Sequence, residues 1–233
     1  MRTFLPCTIL LLSGSGLMGA TALELARSFF GPEEKLKAVT SIYYDGKIVD
    51  PSGKGSGTFR LYLKKPYCQR MEIQIGDVRT ITAVNGAEGY RQQINLTTGR
   101  GRIGILHPTQ VEKIIVNTVE NLYFLKGTQK RNGNVSFLGK ADLQGRECYK
   151  LKFIYRDTLF YERYVDLENG KILSTEDERG VTVYQRGEIY SGGIRFSKSI
   201  ESFKDKKHLN TIHFQKIMVN VPMKDVFFDF PKQ

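Results

Sequence analysis

Six consecutive segments in the C-terminal part of the chain alternate apolar and polar side chains. They are CYKLKFIY (148–155), FYERYVDL (160–167), KILSTEDE (171–178), VTVYQRGEIY (181–190), IRFSKSIESF (194–203) and LNTIHFQKIMV (209–219). Alternation with a period of two buries one face of a strand and leaves the other in water, which is typical of antiparallel sheets. No helical pattern separates the segments, so they predict a run of antiparallel strands.

The N-terminal half continues the same pattern. Further strands are predicted for SIYYDGKIV (41–49), GTFRLYLKKP (57–66), CQRMEIQIGD (68–77), RTITAVNG (79–86) and EGYRQQINL (88–96). The dipeptides Asn85-Gly86 and Asn169-Gly170 are signals for tight hairpin turns, and Asp45-Gly46 indicates a turn or a bulge. Short turns between successive strands predict a large meander.

Helical patterns occur in residues 23–39, with a break at Gly31-Pro32, and in residues 108–120. In the second segment, apolar side chains recur at three- and four-residue spacing, and Glu112, Lys113, Asn117 and Glu120 lie opposite them. The sheet's apolar face must therefore be covered by these helices or by a ligand.

The first 22 residues match a secretory signal peptide. Arg2 is followed by an apolar run through residues 8–12 and by small residues that end at Ala22. The run is shorter than the roughly 18–20 residues that span a bilayer. We therefore expect cleavage near Ala22, which leaves residues 23–233 as a single exported domain.

Charge and cysteine content limit the function classes. Without Arg2, 34 basic and 24 acidic residues remain, a net charge of +10. A basic surface could attract anionic membrane head groups or nucleic acid. The basic residues are scattered over polar strand positions, Arg163 among them, which favours solvated sheet faces over either partner. Cys68 and Cys148 remain in an oxidising compartment, and the sequence leaves open whether they form a disulfide or stay as two buried thiols.

No constellation of catalytic residues is visible. His107, His208 and His213 lack metal-ligand spacing, and the nucleophile-elbow, zinc-protease and phosphate-loop motifs are missing from the sequence. We therefore expect no enzyme activity, no metal and no cofactor.

The order of several segments resembles that of exported outer-membrane lipoprotein-sorting proteins, a group related to the periplasmic lipoprotein carrier LolA. The resemblance is carried by GTFRLYLKKP (57–66), RMEIQ (70–74), FLGKADLQGRECYKLKF (137–153), YERYVDLENGKIL (161–173), GGIRFSKSIES (192–202) and HFQKIMVNVPMKDVFFDFP (213–231). It implies a mainly β fold of the α+β type, in which a curved antiparallel half-barrel sheet has helices over its concave face. It also implies a monomeric periplasmic carrier or binding protein for acyl chains. The acyl chains of lipoproteins or of other lipids would be its cargo.

The resemblance suggests which side chains form the apolar cavity and its lid. The cavity candidates are Phe59, Leu61, Met71, Ile73, Leu151 and Phe153, and the lid candidates are Leu36, Val39, Ile114 and Ile115. All ten can equally be ordinary core residues. An inner-membrane release complex and an outer-membrane acceptor are the partners that such a carrier would use. The alternative is a periplasmic sensing or regulatory module that binds a protein partner through the same fold.

The chain departs from the family pattern at two points. Ser197 stands where the family has proline. In the carriers an arginine inside the cavity holds the lid closed, and no arginine of this sequence can be matched to it.

Overall fold

A computed structural model describes residues 15–53 and 55–231. The helices are α1 (Ser15–Phe30), α2 (Glu33–Lys37), α3 (Pro108–Tyr123) and α4 (Gly127–Lys130), and Asp225–Phe227 forms a 3₁₀ turn. The strands of the N-terminal half are β1 (Ser41–Val49), β2 (Ser56–Lys64), β3 (Cys68–Ile75), β4 (Val78–Asn85), β5 (Glu88–Asn95) and β6 (Gly101–Ile105). Those of the C-terminal half are β7 (Asn134–Leu143), β8 (Arg146–Arg156), β9 (Leu159–Asp166), β10 (Ile172–Asp177), β11 (Val181–Arg186), β12 (Ile189–Ser191), β13 (Ile194–Phe196), β14 (Ser199–Lys204) and β15 (Lys207–Val219).

The helical segments and the mainly β fold are confirmed. The break at Gly31-Pro32 separates α1 from α2, with Pro32 as the N-cap of α2. Helix α3 begins with His107 as its N-cap, whose side chain accepts a hydrogen bond from the amide of Thr109. The helix ends at Tyr123, and its C-cap Phe124 has the left-handed conformation common at helix C-termini.

Within residues 15–53 and 55–231, thirteen strands form one antiparallel sheet with the order β6-β5-β4-β3-β2-β1-β15-β14-β11-β10-β9-β8-β7. The N-terminal half runs outward from β1 to the edge strand β6. The C-terminal half starts at the opposite edge with β7 and returns to the centre, where β15 pairs with β1. The sheet is therefore two meanders joined along one central pair, where the sequence predicted a single meander.

The connection between the two edges requires the sheet to curve. A flat sheet of this strand number would be roughly 58 Å wide, because neighbouring strands lie about 4.8 Å apart. Residues 106–133 cross from β6 to β7, and most of that crossing is α3, whose 16 residues span about 24 Å. The curled, open sheet brings its edges within reach of this connection and places α3 over the inner face, the face on which the helices pack.

The pairing of β1 with β15 has a bulge opposite Gly46. Its register shifts between Asp45 and Gly46, where the sequence indicated a turn or a bulge, and the extra residue, Gln215, lies on β15. A Cβ atom on Gly46 would lie 2.3 Å from the carbonyl oxygen of His213, so only glycine fits there.

Two strand predictions need correction. Residues 181–190 and 194–203 do not continue as single strands of the large sheet, because their adjoining ends form the separate hairpin β12–β13. Ile194 and Phe196 of this hairpin are buried in the core beside the helices. The edge strand β6 was also missed, since its two glycines weaken the alternation.

The outer face of the N-terminal half is covered by residues 221–231. The ring of Phe227 packs against Tyr62 at a centroid distance of 4.8 Å, and that of Phe230 packs against Tyr90 at 4.9 Å. Phe228 between them is 1% exposed. The C-terminal segment therefore closes a second, smaller core on the side opposite the helices.

Candidate functional site on the inner face of the sheet

The inner face has a closed region under α1. Leu151 and Phe153 are fully buried there, together with Ala22 and Ala26 of α1 and Val116 of α3. With α1 and α3 packed over it, this region is ordinary protein core. Two of the six cavity candidates therefore lie apart from the other four.

The remaining four cavity candidates lie together on β2 and β3. Phe59 pairs with Ile73 and Leu61 pairs with Met71 across these strands. Phe59 is buried, whereas Leu61, Met71 and Ile73 are only half-buried. The covering elements thus leave part of this apolar surface open to solvent.

The open apolar surface continues across neighbouring strands. Ile75 and Val78, at the β3–β4 turn, are 52% and 38% exposed. Toward the centre of the sheet, half-buried apolar side chains of β1, β15 and β14 lie on the same face as Leu61, because these strands pair in sequence with β2. We call this whole surface the apolar trough. It consists of Ile48, Phe59, Leu61, Met71, Ile73, Ile75, Val78, Ile200 and Phe214.

The lid candidates cover different parts of the inner face. Leu36 and Val39 are 2% and 1% exposed and belong to the same cluster as Phe59. Ile115 packs with Val84 and Leu106, nearer the β5 side of the sheet, and Ile114 is only partly buried against that cluster. The ten candidates therefore divide among three apolar clusters instead of lining one cavity.

A buried polar cluster fastens α3 to the sheet. Glu120 accepts a hydrogen bond from Nη1 of Arg163 at 2.5 Å, and the Tyr155 hydroxyl also donates to its carboxylate. Thr128 of α4 adds a hydrogen bond of 3.2 Å. The guanidinium of Arg163 lies 4.3 Å from the centroid of the Phe153 ring. Helix α3 is thus held near its C-terminal end by a charged pair inside the protein.

The expectation that Glu120 and Arg163 are solvated is wrong. Glu120 is 4% and Arg163 7% exposed. Arg163 shares its strand phase with Tyr161 and Val165, both of which face inward. That phase was the available signal in the sequence, because a strand position between two inward-facing residues of the same parity also faces inward.

Ion pairs at the N-terminal half of α3 reinforce the attachment. Nζ of Lys113 lies 2.8 Å from Asp177 and 2.6 Å from Glu178, at the turn that joins β10 to β11. Glu112 pairs with Arg156 at 2.8 Å. Several polar contacts thus link one side of α3 to the C-terminal meander.

The two cysteines in the described part of the chain are separate thiols. Cys68 and Cys148 are free and buried, and burial raises the pKa of each thiol. Residues 15–53 and 55–231 contain no group of three or more metal-ligating side chains that could hold an ion. No helix among them has the length and apolar character that a membrane crossing requires.

Solved structures resemble this architecture over nearly its whole length. The crystal structure of a LolA superfamily protein from Nitrosomonas europaea superposes with a TM-score of 0.57 and 10% identity, over 91% of this chain and 97% of the other. The fold is LolA-like. A Vibrio parahaemolyticus domain described as an outer-membrane lipoprotein-sorting protein gives 0.55 and 9%, over 91% and 97%. A DUF1329 family protein from Desulfovibrio piger gives 0.56 and 12%, over 90% and 96%.

At these identities the likeness establishes the LolA-like fold and not a shared function. No protein-family model and no curated protein matches the sequence. The predicted half-barrel with helices on its concave face is confirmed.

Proposed function

We propose that this protein is an exported carrier or binding protein for acyl chains, and that the apolar trough is its binding surface. The observation that carries the proposal is the half-exposed apolar side chains on the inner face, beside the helices that cover the rest. A contiguous apolar surface of this kind on a monomer is typical of an interaction site. Lipoproteins of the outer membrane are the cargo that the sequence resemblance favours, and the periplasm is the corresponding compartment.

The dimensions of the trough suit an acyl chain. Its members extend over the neighbouring strands β14, β15, β1, β2, β3 and β4, which corresponds to about 24 Å at the usual strand spacing. One acyl chain spans about 15 Å in a bilayer leaflet, half of the hydrocarbon thickness. Each buried methylene contributes about 0.8 kcal/mol, so apolar contact alone can hold such a ligand.

Helix α3 is the element that would move to enlarge the trough. Its apolar side packs on Val84 and Leu106, and its polar contacts attach it to the C-terminal meander. Displacing it would uncover Leu63 and Val84, now fully buried, next to Leu61 and Met71. The closed conformation therefore has a binding surface that opening of α3 would extend.

Uptake of a fluorescent, uncharged acyl probe by the purified exported protein tests the proposal. Ile73→Glu places a charge in the trough at a half-exposed position, so we expect it to abolish uptake while the folded circular-dichroism spectrum is retained. Gln74→Glu is the matched control, because Gln74 is the next residue of β3 and points to the outer face. The proposal fails if the wild-type protein takes up no probe and retains no lipid after mild purification.

The protein-binding alternative is favoured by the edge strand β6. Its five residues are all exposed, Ile105 is 82% exposed, and its outer edge is unpaired in the described sheet. An extended peptide could add to such an edge as a further strand. Affinity capture by the wild-type protein, compared with Ile105→Pro, distinguishes this role, since proline removes an edge amide without altering the trough.

A further inference from the structure

Cationic side chains gather around two tyrosines where α3, α4 and the β2–β3 turn meet. The Nζ atoms of Lys65 and Lys130 lie 4.7 Å and 5.8 Å from the centroid of the Tyr123 ring. The guanidinium carbon of Arg131 lies 5.9 Å from the centroid of the Tyr67 ring. We call Lys65, Lys130, Arg131, Tyr67 and Tyr123 the cationic cluster.

The cationic cluster lacks a counter-charge in the part of the chain that the structure describes. None of its three cations forms an ion pair with a described carboxylate, and Lys65 donates only to the carbonyl oxygen of Lys37, at 3.3 Å. The nearby carboxylate of Glu33 is already within 2.8 Å of Arg27, 3.6 Å of Lys37 and 2.9 Å of Lys126. Positive charge therefore accumulates at this end of the covering helices.

The position of Lys65 is electrostatically unfavourable for a cation without an anion. Its side chain is half-buried between the strand end and Tyr123. Burial, with smaller contributions from the charges of Lys130 and Arg27, lowers the pKa of Lys65. A bound anion would offset both effects on the Lys65 ammonium, since it supplies the negative charge that no described carboxylate provides.

The donors in the cationic cluster suit a tetrahedral oxyanion. The cluster contains two ammonium groups, a guanidinium and two phenolic hydroxyls, and a phosphate group has several oxygens that accept from such donors. A cavity of about 570 Å³ adjoins Lys65. Its wall combines the cations of Lys64 and Lys224 with the apolar residues 221–223. The apolar part of this wall favours a phosphate attached to a lipid over the free ion, and tyrosine beside lysine is the combination common at membrane interfaces.

We propose that the cationic cluster binds the phosphate of an anionic phospholipid head group and thereby docks this end of the protein on a membrane surface. The cluster shares no residue with the apolar trough, so this inference does not depend on acyl-chain binding. It does give the carrier a defined orientation at a membrane, with the C-terminal end of α3 toward the lipid.

Co-sedimentation with vesicles tests the docking. We expect the wild-type protein to bind vesicles of phosphatidylcholine that contain phosphatidylglycerol, and to bind pure phosphatidylcholine vesicles much more weakly. The variant Lys65→Gln/Lys130→Gln/Arg131→Gln should lose on the order of 100-fold in apparent affinity, given the usual contribution of each basic residue near an anionic surface.

A matched control removes the same charge elsewhere. Lys204→Gln/Lys206→Gln/Lys207→Gln changes exposed lysines at the β14–β15 turn, and we expect at most a few-fold loss. Equal losses in the two triple variants would overturn the proposal, because attraction would then depend on net charge alone. Binding that does not distinguish the two lipid compositions would overturn it as well.

Calorimetric titration with inorganic phosphate distinguishes a lipid head group from free phosphate as the ligand of the cationic cluster. Competition of phosphate with the vesicles, lost in the cluster variant, supports a phosphate site that a lipid occupies. Phosphate binding without vesicle binding assigns the site to a soluble phosphate and overturns the membrane role. A circular-dichroism spectrum and a urea midpoint equal to those of the wild-type protein show that the cluster variant is folded, so that a loss of vesicle binding is due to the removed charges.

Discussion

Glu120 of α3 and Arg163 of β9 form an ion pair inside the protein, with side-chain exposures of 3% and 9%. Both charges have left water, so each depends on the other and on the hydrogen bonds that Tyr155 and Thr128 add. A buried pair of this kind contributes little net stability compared with apolar side chains, but removal of one partner is costly. It also fixes where α3 can sit on the sheet.

Arg163→Met should destabilise the protein by about 3–5 kcal/mol, because it leaves the Glu120 carboxylate buried without a counter-charge. Urea unfolding monitored by circular dichroism measures the loss. Arg156→Met is the control, since its pair with Glu112 involves a side chain that is 68% exposed, and it should cost less than about 1 kcal/mol.

The double variant Glu120→Leu/Arg163→Met should recover most of that stability, because an apolar pair replaces the charges without leaving either unpaired. A loss below 1 kcal/mol for Arg163→Met alone would show that the pair is not what fastens α3.

Leu151 and Leu61 should respond differently to truncation. Leu151→Ala should cost about 2–5 kcal/mol, because the side chain is fully buried beneath α1. Leu61→Ala should cost clearly less, since its side chain is half-buried, and should instead weaken acyl-probe binding. Unfolding curves and probe titrations on both variants decide the matter. Equal losses of stability would indicate that the trough is as closed as the core.

Acidification should weaken the contact between α1, α2 and the end of α3. The hydrogen bond from Arg27, supported by Lys126, lowers the pKa of Glu33 to about 2. A carboxyl group whose pKa is lowered by folding stabilises the protein above its unfolded pKa, near 4.5, and loses that contribution as the pH falls to about 2.

Glu33→Gln should therefore flatten the fall in the urea midpoint between pH 5 and pH 2. At neutral pH we expect it to cost less than about 1 kcal/mol, because the Glu33 side chain is partly exposed. Parallel curves for the two proteins over this range would exclude Glu33 as a source of the acid sensitivity.

Export should remove the first 22 residues. The proposed cleavage site lies within α1, where Ala22 is fully buried and Ala26 one turn later packs in the same cluster. Cleavage would leave Leu23 at the start of a helix that still reaches Phe30. N-terminal sequencing of the protein from the periplasm should begin at Leu23, and recovery of an intact Met1 would show that the segment is retained. Residues 1–14 of the proposed signal lie outside the described residues.

The sequence was most informative where local rules apply. Period-two alternation located nearly all strands, and Asn85-Gly86 and Asn169-Gly170 marked two hairpins, because these features depend on neighbouring residues alone. Alternation says which side chains share a face but not what covers that face. Leu151 and Leu61 were therefore placed in one cavity, although α1 covers the first and leaves the second half-open.

Contacts between residues that are far apart in the sequence could not be predicted from these local patterns. Glu120 looked solvated on its helix because its partner Arg163 lies 43 residues away, on another element. The fold of residues 189–196 as a separate hairpin depends on contacts with α1 and β15, which no local pattern contains. The same holds for the cationic cluster, whose members come from the β2–β3 turn, the last residue of α3 and the end of α4.

The central pairing of β1 with β15 sets the order in which the molecule can be assembled. Ile42, near the start of the described chain, faces Val219, near its end. The two meanders therefore cannot join until almost the whole polypeptide is available, and such non-local pairing is slow to form. A chain with this topology cannot complete its sheet until β15, its last strand, is available to pair with β1.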